Sequence, residues 1–321
     1  MNTMKDIIAP VPVDDIMKEL TLDKFFRKTN NGGNEIYILT AHDSPNIMRE
    51  IGRLREISFR DSGGGTGLDC DIDEFDTCEN HFFKQLIVWN PVDKAIVGGY
   101  RFLLCENLPT DENGQVDTPT SELFHYSEKF IKDYLPYTIE LGRSFVQPDY
   151  QPTKSISKGM YSLDNLWDGL GSLTYLYPQA KYYFGKVTMY PQLDRVSRDM
   201  ILYFMQSNFP DPEELVRPYA KYDLPILTDH EMLRQMFVGQ DFKENYRILV
   251  RNVRERGAAV PPLVNAYMNL SSSMRSFGTA INPPFGNVEE TGILITIADI
   301  YDDKFKRHLV YEKGLKPEHL K

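Results

Sequence analysis

A mixed α/β fold, an α+β arrangement around a sheet with antiparallel and parallel parts, is what the sequence predicts, on three observations. Gln85 to Trp89 and Ala95 to Leu104 are β-rich runs joined by Asn90-Pro-Val-Asp93, a turn suited to Asn and Pro, and so form an antiparallel hairpin. Beyond it, segments with helical spacing alternate with single strands, which brings strands together through crossovers. No internal repeat or low-complexity tract appears, so neither a solenoid nor a regular doubly wound sheet is expected.

Along the chain, Val13 to Lys28 is a helical candidate closed by the turn Asn30-Asn-Gly-Gly33, with a strand from Glu35 to Leu39 next. Ser44-Pro45 starts a helix in which Ile47, Ile51, Leu54 and Ile57 recur at helical spacing as far as Phe59. Asp61-Ser-Gly-Gly-Gly-Thr-Gly67 follows as a flexible, exposed segment; no strand precedes it and no Lys-Ser/Thr follows, so it is not a P-loop. Ser121 caps a helix running to about Lys132, and Thr138 to Val146 is a strand that Pro148 terminates by removing a donor. Leu163 to Tyr177 is helical with Leu166, Trp167, Leu170 and Leu173 inward; Tyr182 to Met189 is a strand and Asp194 to Phe209 a helix. Asp211 to Gly257 is charged, helical and broken by Pro212, Pro218 and Pro225, the pattern of an insertion or lid. Pro261-Pro262 then starts a helix, Leu263 to Met274, and Gly292 to Ala298 is a buried strand that rejoins the sheet.

The 321 residues, 41% hydrophobic, are enough for one large domain or two ordinary ones with a proper core. No run approaches the roughly 18 apolar residues that span a bilayer, and Met1 to Asp15 is neither basic nor apolar enough for a signal peptide, which makes the cytoplasm the expected compartment. Cys70, Cys78 and Cys105 are too few for a disulfide framework or a four-ligand zinc site. A net charge of -10 argues against a nucleic-acid binder, whose affinity rests on a basic face. Lys154, Lys158, Lys181 and Lys186 nevertheless fall in one region, either a solvated surface or the contact for an acidic partner.

The run Tyr137 to Tyr150 carries Glu140 and Arg143 in a strand that would prefer neither, so the pair is either a structural ion pair or a functional one. Simple alternation puts Glu140 and Ser144 on one face and Leu141, Arg143 and Phe145 on the other. Asp69-Cys-Asp-Ile-Asp-Glu-Phe-Asp76 holds five carboxylates in eight residues. It lacks the glycine and terminal Glu of a calcium loop, and a solvated or amine-binding loop is preferred to a metal site. His42, His81, His125, His230, His308 and His319 show no paired metal spacing, so no metal is expected. Without a Gly-x-Ser-x-Gly elbow or a Cys-His pairing, the available chemistry is that of carboxylates and arginines: orienting a cationic substrate, taking its proton and steadying developing negative charge.

Here the residues carry a resemblance. Val146-Gln-Pro-Asp-Tyr150 is similar to the V-x-P-x-Y junction after the fourth strand of GNAT-type acyltransferases. Leu54-Arg-Glu-Ile-Ser-Phe59, Asp73-Glu-Phe-Asp76, Gly98-Gly-Tyr-Arg-Phe102 and Glu140-Leu-Gly-Arg143 stand in the order of the signature residues of acyl-homoserine-lactone synthases. The chain resembles still more closely the ornithine-lipid and glycine-lipid N-acyltransferases, often labelled hemolysin-like, to which Pro261-Pro-Leu-Val-Asn-Ala-Tyr267, Phe285-Gly-Asn287 and Leu163-Asp-Asn-Leu-Trp-Asp-Gly-Leu170 are also similar.

The resemblance implies a GNAT fold with a helical insertion: a helical extension over 1–34, an acyltransferase core over 35–210, the insertion or lid over 211–260 and a closing segment over 261–321. It implies an enzyme that moves a 3-hydroxyacyl chain from acyl carrier protein to an amino acid, glycine above ornithine, in lipid synthesis. The alternatives are a non-catalytic acyl carrier or lipid-binding protein, and an acyl-homoserine-lactone-type synthase. Glu140 would be the base and Arg143 its catalytic companion. Arg55, Arg101, Asp73 and Asp76 would organise the acceptor, with Phe59, Phe102, Ser144 and Val146 also in the substrate site. The donor would be a phosphopantetheine thioester and no cofactor would be bound. Gln151-Pro-Thr-Lys-Ser-Ile-Ser-Lys-Gly159 lacks the glycine-rich pyrophosphate loop of enzymes that use acyl-CoA, which favours a protein-borne donor contacted by Lys154 and Lys158. A membrane-seeking product implies peripheral contact with the inner membrane.

Overall fold

Short runs of β-branched and aromatic residues form ten strands among residues 4–309, the part of the chain that the computed structural model describes. In chain order they are β1 (Phe25–Lys28), β2 (Glu35–Leu39), β3 (Lys84–Asn90), β4 (Ala95–Leu104), β5 (Phe124–Tyr126), β6 (Thr138–Val146), β7 (Tyr182–Met189), β8 (Val216–Pro218), β9 (Arg275–Asn282) and β10 (Val288–Thr296). The described chain divides into two compact units, one of residues 4–105, 139–181 and 302–309, the other of 106–138 and 182–301. These boundaries differ from those expected from sequence.

The first unit is built on strands β1-β2-β3-β4-β6, every neighbouring pair antiparallel. Residues 4–34 are not a helical extension: helix α1 covers only Val13–Glu19, and β1 then pairs with β2 across the Thr29–Asn34 turn. Phe25 and Phe26 favour a strand, and Gly32 and Gly33 take the positive φ values, 82° and 65°, that the turn requires. The β3–β4 hairpin forms as expected, Asn90 Oδ1 accepting from the N–H groups of Val92 and Asp93 at 2.9 and 2.8 Å.

Helix α2 (Pro45–Asp61) begins where Ser44-Pro45 signals it and buries Ile47, Ile51 and Leu54, but it also buries Glu50, Arg55 and Glu56. Glu56 explains why the glycine-rich stretch after α2 is neither exposed nor loose. Its carboxylate accepts from Thr66 N, Thr66 Oγ1 and Gly67 N at 3.2, 2.8 and 2.8 Å. The short α3 (Glu74–Thr77) precedes β3. Helix α4 (Ile156–Gly159) and α5 (Ser162–Leu176) follow β6. Leu166, Leu170 and Leu173 are buried and Trp167 only half so. A Cβ at Gly169 would stand 2.7 Å from both Leu86 Cδ2 and Tyr100 Oη, so this glycine sets how closely α5 lies on β3 and β4. Residues 302–309 return to α5, where His308 Nδ1 is 2.9 Å from Asp168 Oδ1 and Asn30 donates to the same carboxylate.

The second unit has the antiparallel order β7-β10-β9 and a separate β5–β8 pair. The helix expected from Ser121 to Lys132 forms only near its end, where a π-helical turn covers Phe130–Tyr134. Thr118 and Ser121 bond each other's backbone and side chains, and the fully buried Phe124 and Tyr126 alternate as a strand against β8. The 211–260 stretch is not set apart as an insertion, since β8 pairs with β5 and α8 (Phe242–Glu255) packs on α6 (Arg195–Asn208), with Phe204 and Phe242 ring centroids 5.3 Å apart. Helix α6 forms where expected, with Asp194 as its cap, and α7 (His230–Met236) lies between. Helix α9 (Pro262–Met268) stops short of Met274, where Ser271 and Ser273 offer their hydroxyls to each other and to local backbone.

Candidate active site

The acidic segment after α2 is solvated only in part: Asp71 and Asp76 are buried, Asp69 and Asp73 half-buried and Glu74 exposed. Gly52 opens a gap in α2 into which residues 70–72 fold; a Cβ there would meet Cys70 Sγ at 2.5 Å and Ile72 Cγ1 at 2.7 Å, and Asp71 N–H donates to Gly52 O at 3.0 Å. Asp73 then caps α3 in a capping box, its N–H returning to Asp76 Oδ2 at 3.3 Å. Backbone geometry thus lines up Asp71, Asp73 and Asp76 before any arginine is considered.

Three arginines from three elements meet them. Arg55 of α2 donates to Asp76 Oδ2 at 2.9 Å, to Asp71 O at 3.3 Å and to Gln85 Oε1 at 2.6 Å, while Gln85 Nε2 donates to Asp76 Oδ1 at 2.8 Å. Arg101 of β4 lies 2.5 Å from Asp73 Oδ1 and 3.2 Å from Asp76 Oδ2, with its guanidinium 5.0 and 5.7 Å from the ring centres of Phe83 and Phe75. Arg143 of β6 sets Nε 2.9 Å from Asp71 Oδ2 and Nη2 3.5 Å from Asp73 Oδ2. Burial by itself would raise the Asp76 pKa, but Arg55 and Arg101 outweigh it and hold the carboxyl below its ordinary value. Burial likewise pulls on Arg101 in the discharging direction, and Asp76 and Asp73 more than reverse it.

Arg143 reaches this array through a bulge. Gly99 pairs with Phe145 and Arg101 with Gly142, so β6 carries one residue more than β4 between these points, and Arg143 takes a left-handed φ of 51°. The alternation expected from sequence therefore breaks here: Glu140, Gly142 and Phe145 all hold register positions on the Arg101 face. Gly98 and Gly99 let the strands close around the bulge, since a Cβ on Gly98 would stand 2.4 Å from Phe145 O and one on Gly99 2.5 Å from Leu86 O. Glu140 is buried opposite Leu103. Burial pushes the Cys105 thiol pKa well up, and the Glu140 charge beside it pushes the same way.

Among the other residues singled out, Phe59 and Phe102 are core, the latter edge-on to Tyr177 at 6.0 Å. Ser144 and Val146 are half-buried, and Val146 O accepts from Gln151 Nε2 at 2.9 Å. Lys158 pairs with Asp93 at 2.8 Å beside Tyr150, whose hydroxyl donates to the same carboxylate at 2.6 Å; Lys154 lies 3.7 Å from Asp61. The pattern of residues did not disclose Gln85, which joins Arg55 to Asp76, or the pairing of Asp71 with Arg143. Gln85 was visible only as a polar residue in an otherwise apolar strand. Among the described residues no group of three or more His, Cys, Asp or Glu is arranged to hold a metal ion, and no helix is long and apolar enough to cross a membrane.

Residues 54–160, which span this array, match the acetyltransferase (GNAT) domain family. A glycine N(alpha)-acyltransferase of Bacteroides thetaiotaomicron is 56% identical over 306 residues, covering 95% of this chain and 90% of that protein. A glycine N(alpha)-acyltransferase of Phocaeicola vulgatus is 54% identical over 318 residues, covering 99% and 97%. Among solved structures, FeeM, an N-acyl amino acid synthase from uncultured soil microbes, is similar with a TM-score of 0.37 and 9% identity, over 83% of this chain and 92% of that one. The chain belongs to the GNAT-type N-acyltransferase family of these relatives and is an acyltransferase.

Proposed function

We propose that the protein transfers an acyl chain, a 3-hydroxyacyl chain in the first instance, from acyl carrier protein to the amino group of glycine, as a step in the synthesis of amino-acid lipids. The observation that carries this reading is the graded exposure of the arginine–aspartate array. The side chains of Arg55, Asp76 and Arg101 are 0, 0 and 1% exposed, whereas Arg143 is 16% and Asp73 30% exposed. A zwitterion can meet only the outer edge, its ammonium on Asp73 and its carboxylate on Arg143, while the buried residues hold that edge in place. The names of the two relatives supply glycine as the zwitterion.

In the reaction the ammonium gives up a proton, for which Glu140 is the proposed acceptor, and the resulting amine attacks the thioester carbonyl; the second proton that the nitrogen loses as the amide forms is the one taken up by the leaving thiolate. The C–N bond forms, the C–S bond breaks, and the phosphopantetheine leaves as thiolate and takes up a proton. A guanidinium near the reacting carbonyl would steady the negative charge that develops on its oxygen. Arg143 is the one arginine of the array with an exposed edge to do so.

A protein-borne donor is supported by residues 151–161. In place of a glycine-rich loop this stretch has the four-residue α4, where Gly159 serves close packing: its Cβ would stand 2.4 Å from Pro152 N. It presents Lys154 and Lys158 with the exposed Ile156 and Met160, a basic and apolar surface suited to an acidic carrier. The test is amide formation followed by mass spectrometry with acyl-acyl carrier protein or acyl-CoA as donor, and glycine, ornithine or serine as acceptor. The carrier with glycine should give the highest kcat/KM, and Lys154→Glu with Lys158→Glu should raise KM for the carrier about tenfold or more while leaving that for glycine unchanged. Equal use of acyl-CoA would remove the carrier from the reading, and preference for ornithine would replace the acceptor.

A further inference from the structure

Helix α8 carries a feature that the acyl transfer does not use. Lys243, Arg247, Arg251 and Arg254 are all exposed and spaced four, four and three apart, which at 3.6 residues per turn gathers them within an arc of about 80°. Leu249 and Val253 are buried on a different side, and Phe242 packs toward Phe204 and Phe209. Among the described residues, ion pairing on the stripe is limited to Arg251 with Glu255 at 3.9 Å, and Glu244 and Glu255 stand to one side of it. In a chain of net charge -10 such a concentration of cations is local and unbalanced.

An apolar residue stands beside the helix. Val238 is 74% exposed. The turn that holds Val238 is tied to the first turns of α8, because Gly239 N–H donates to Asn245 Oδ1 at 2.9 Å and Gln240 N–H to Glu244 Oε2 at 2.8 Å. A cationic helical stripe with an adjoining bare valine matches a bilayer surface that offers anionic headgroups to the first and acyl chains to the second.

We propose that the Lys243–Arg254 face of α8, with the Val238 turn, docks the enzyme on an anionic lipid surface. The choice of a membrane over another polyanion draws on the proposed reaction, whose product is an amphiphile that has to leave for a bilayer. The docking itself can be measured without that reaction. Each basic residue near an anionic surface raises partitioning about fivefold, so the four together raise it by two orders of magnitude or more.

The experiment is co-sedimentation of the full chain with vesicles of phosphatidylcholine, alone or with a third phosphatidylglycerol, at low and high salt. It is repeated with K243E/R247E/R251E/R254E, whose fold is checked by circular dichroism. The expected result is binding to the anionic vesicles only, weakened by salt and reduced about a hundredfold or more in the variant, with acylation of glycine in solution unchanged. Absence of binding by the parent chain, or equal binding by the folded variant, overturns the proposal. A variant that still binds vesicles but has an increased KM for acyl carrier protein overturns it too, and assigns the stripe to the carrier. Failure of the acylation assay alone leaves the vesicle result standing and counts against the proposed reaction.

Discussion

Arg143 sits 2.9 Å from Asp71 because its own backbone is left-handed, with φ 51°, at the bulge of β6. A side chain other than glycine in that conformation costs about 1 kcal/mol. Arg143→Gly should therefore be more stable than Arg143→Ala by about 1 kcal/mol in urea unfolding. Both should lower kcat/KM for the amino acid by about ten- to a hundredfold, the worth of a charge-assisted hydrogen bond, with little change in KM for the donor. An Ala variant as stable as the Gly variant would mean that the bulge relaxes when the arginine is gone.

Glu140→Gln keeps the shape of the buried side chain and removes its basicity. The expected outcome is a fall in kcat of about 10²–10⁴-fold at pH 7 with thermal stability nearly preserved. The residual activity should rise with pH as more of the free amine is present in solution. A variant with parental kcat would leave Glu140 a structural residue.

Asp76 stands between two buried guanidinium groups, and its pKa is lower in the folded chain than in the unfolded one. Its contribution to stability is therefore present above the unfolded value, near pH 4, and is lost as pH falls through the folded value. Removing the charge leaves Arg55 and Arg101 buried and undercompensated, for which Asp76→Ala should cost about 3–5 kcal/mol at pH 7. The difference between parent and variant should shrink as the pH is lowered below about 4, which denaturant titrations at pH 7, 4 and 3 would record.

Gly98→Ala tests the strand closure. Its Cβ would lie 2.4 Å from Phe145 O, a backbone atom that cannot swing aside, so β4 and β6 have to separate. A loss of about 1–3 kcal/mol is expected, the usual cost of overpacking, together with a fall in kcat because Glu140 and Arg143 ride on the displaced strand. Gly114→Ala separates backbone strain from strand closure: no atom lies within 4 Å of its Cβ but its φ is 73°, so it should cost about 1 kcal/mol of stability and leave kcat unchanged.

Much of the fold was legible because it rests on local signals. The β3–β4 hairpin had its Asn-Pro turn, α2 its Ser44-Pro45 start and α6 its Asp194 cap. Where tertiary pairing overrode local preference, the sequence misled. Residues 124–126 form a strand because β8 is there to receive them, and Phe25 to Lys28 joins β2 instead of extending α1. In the candidate site the charged residues could be named, but not their depth. From the residues alone Asp71 and Asp76 read as part of a solvated or amine-binding loop, because nothing in a run of aspartates announces that Gly52 will let it fold against α2. The bulge at Arg143 was equally hidden, since an arginine gives no sign of a left-handed backbone.

Cys105, buried at the end of β4 with its thiol kept protonated by its surroundings, makes the neighbourhood of Glu140 a natural clock. Cys70 and Cys78 are half-buried and open to an alkylating reagent ahead of the buried Cys105, although burial and the Asp71 and Asp69 charges push the Cys70 thiol up to about 11 and slow it. What remains is a slow single-site modification whose rate records how often the strands beside Glu140, the proposed base, part. Ligands that seat on Asp73 and Arg143, or that brace β6, would slow that clock without any need to follow the chemistry itself.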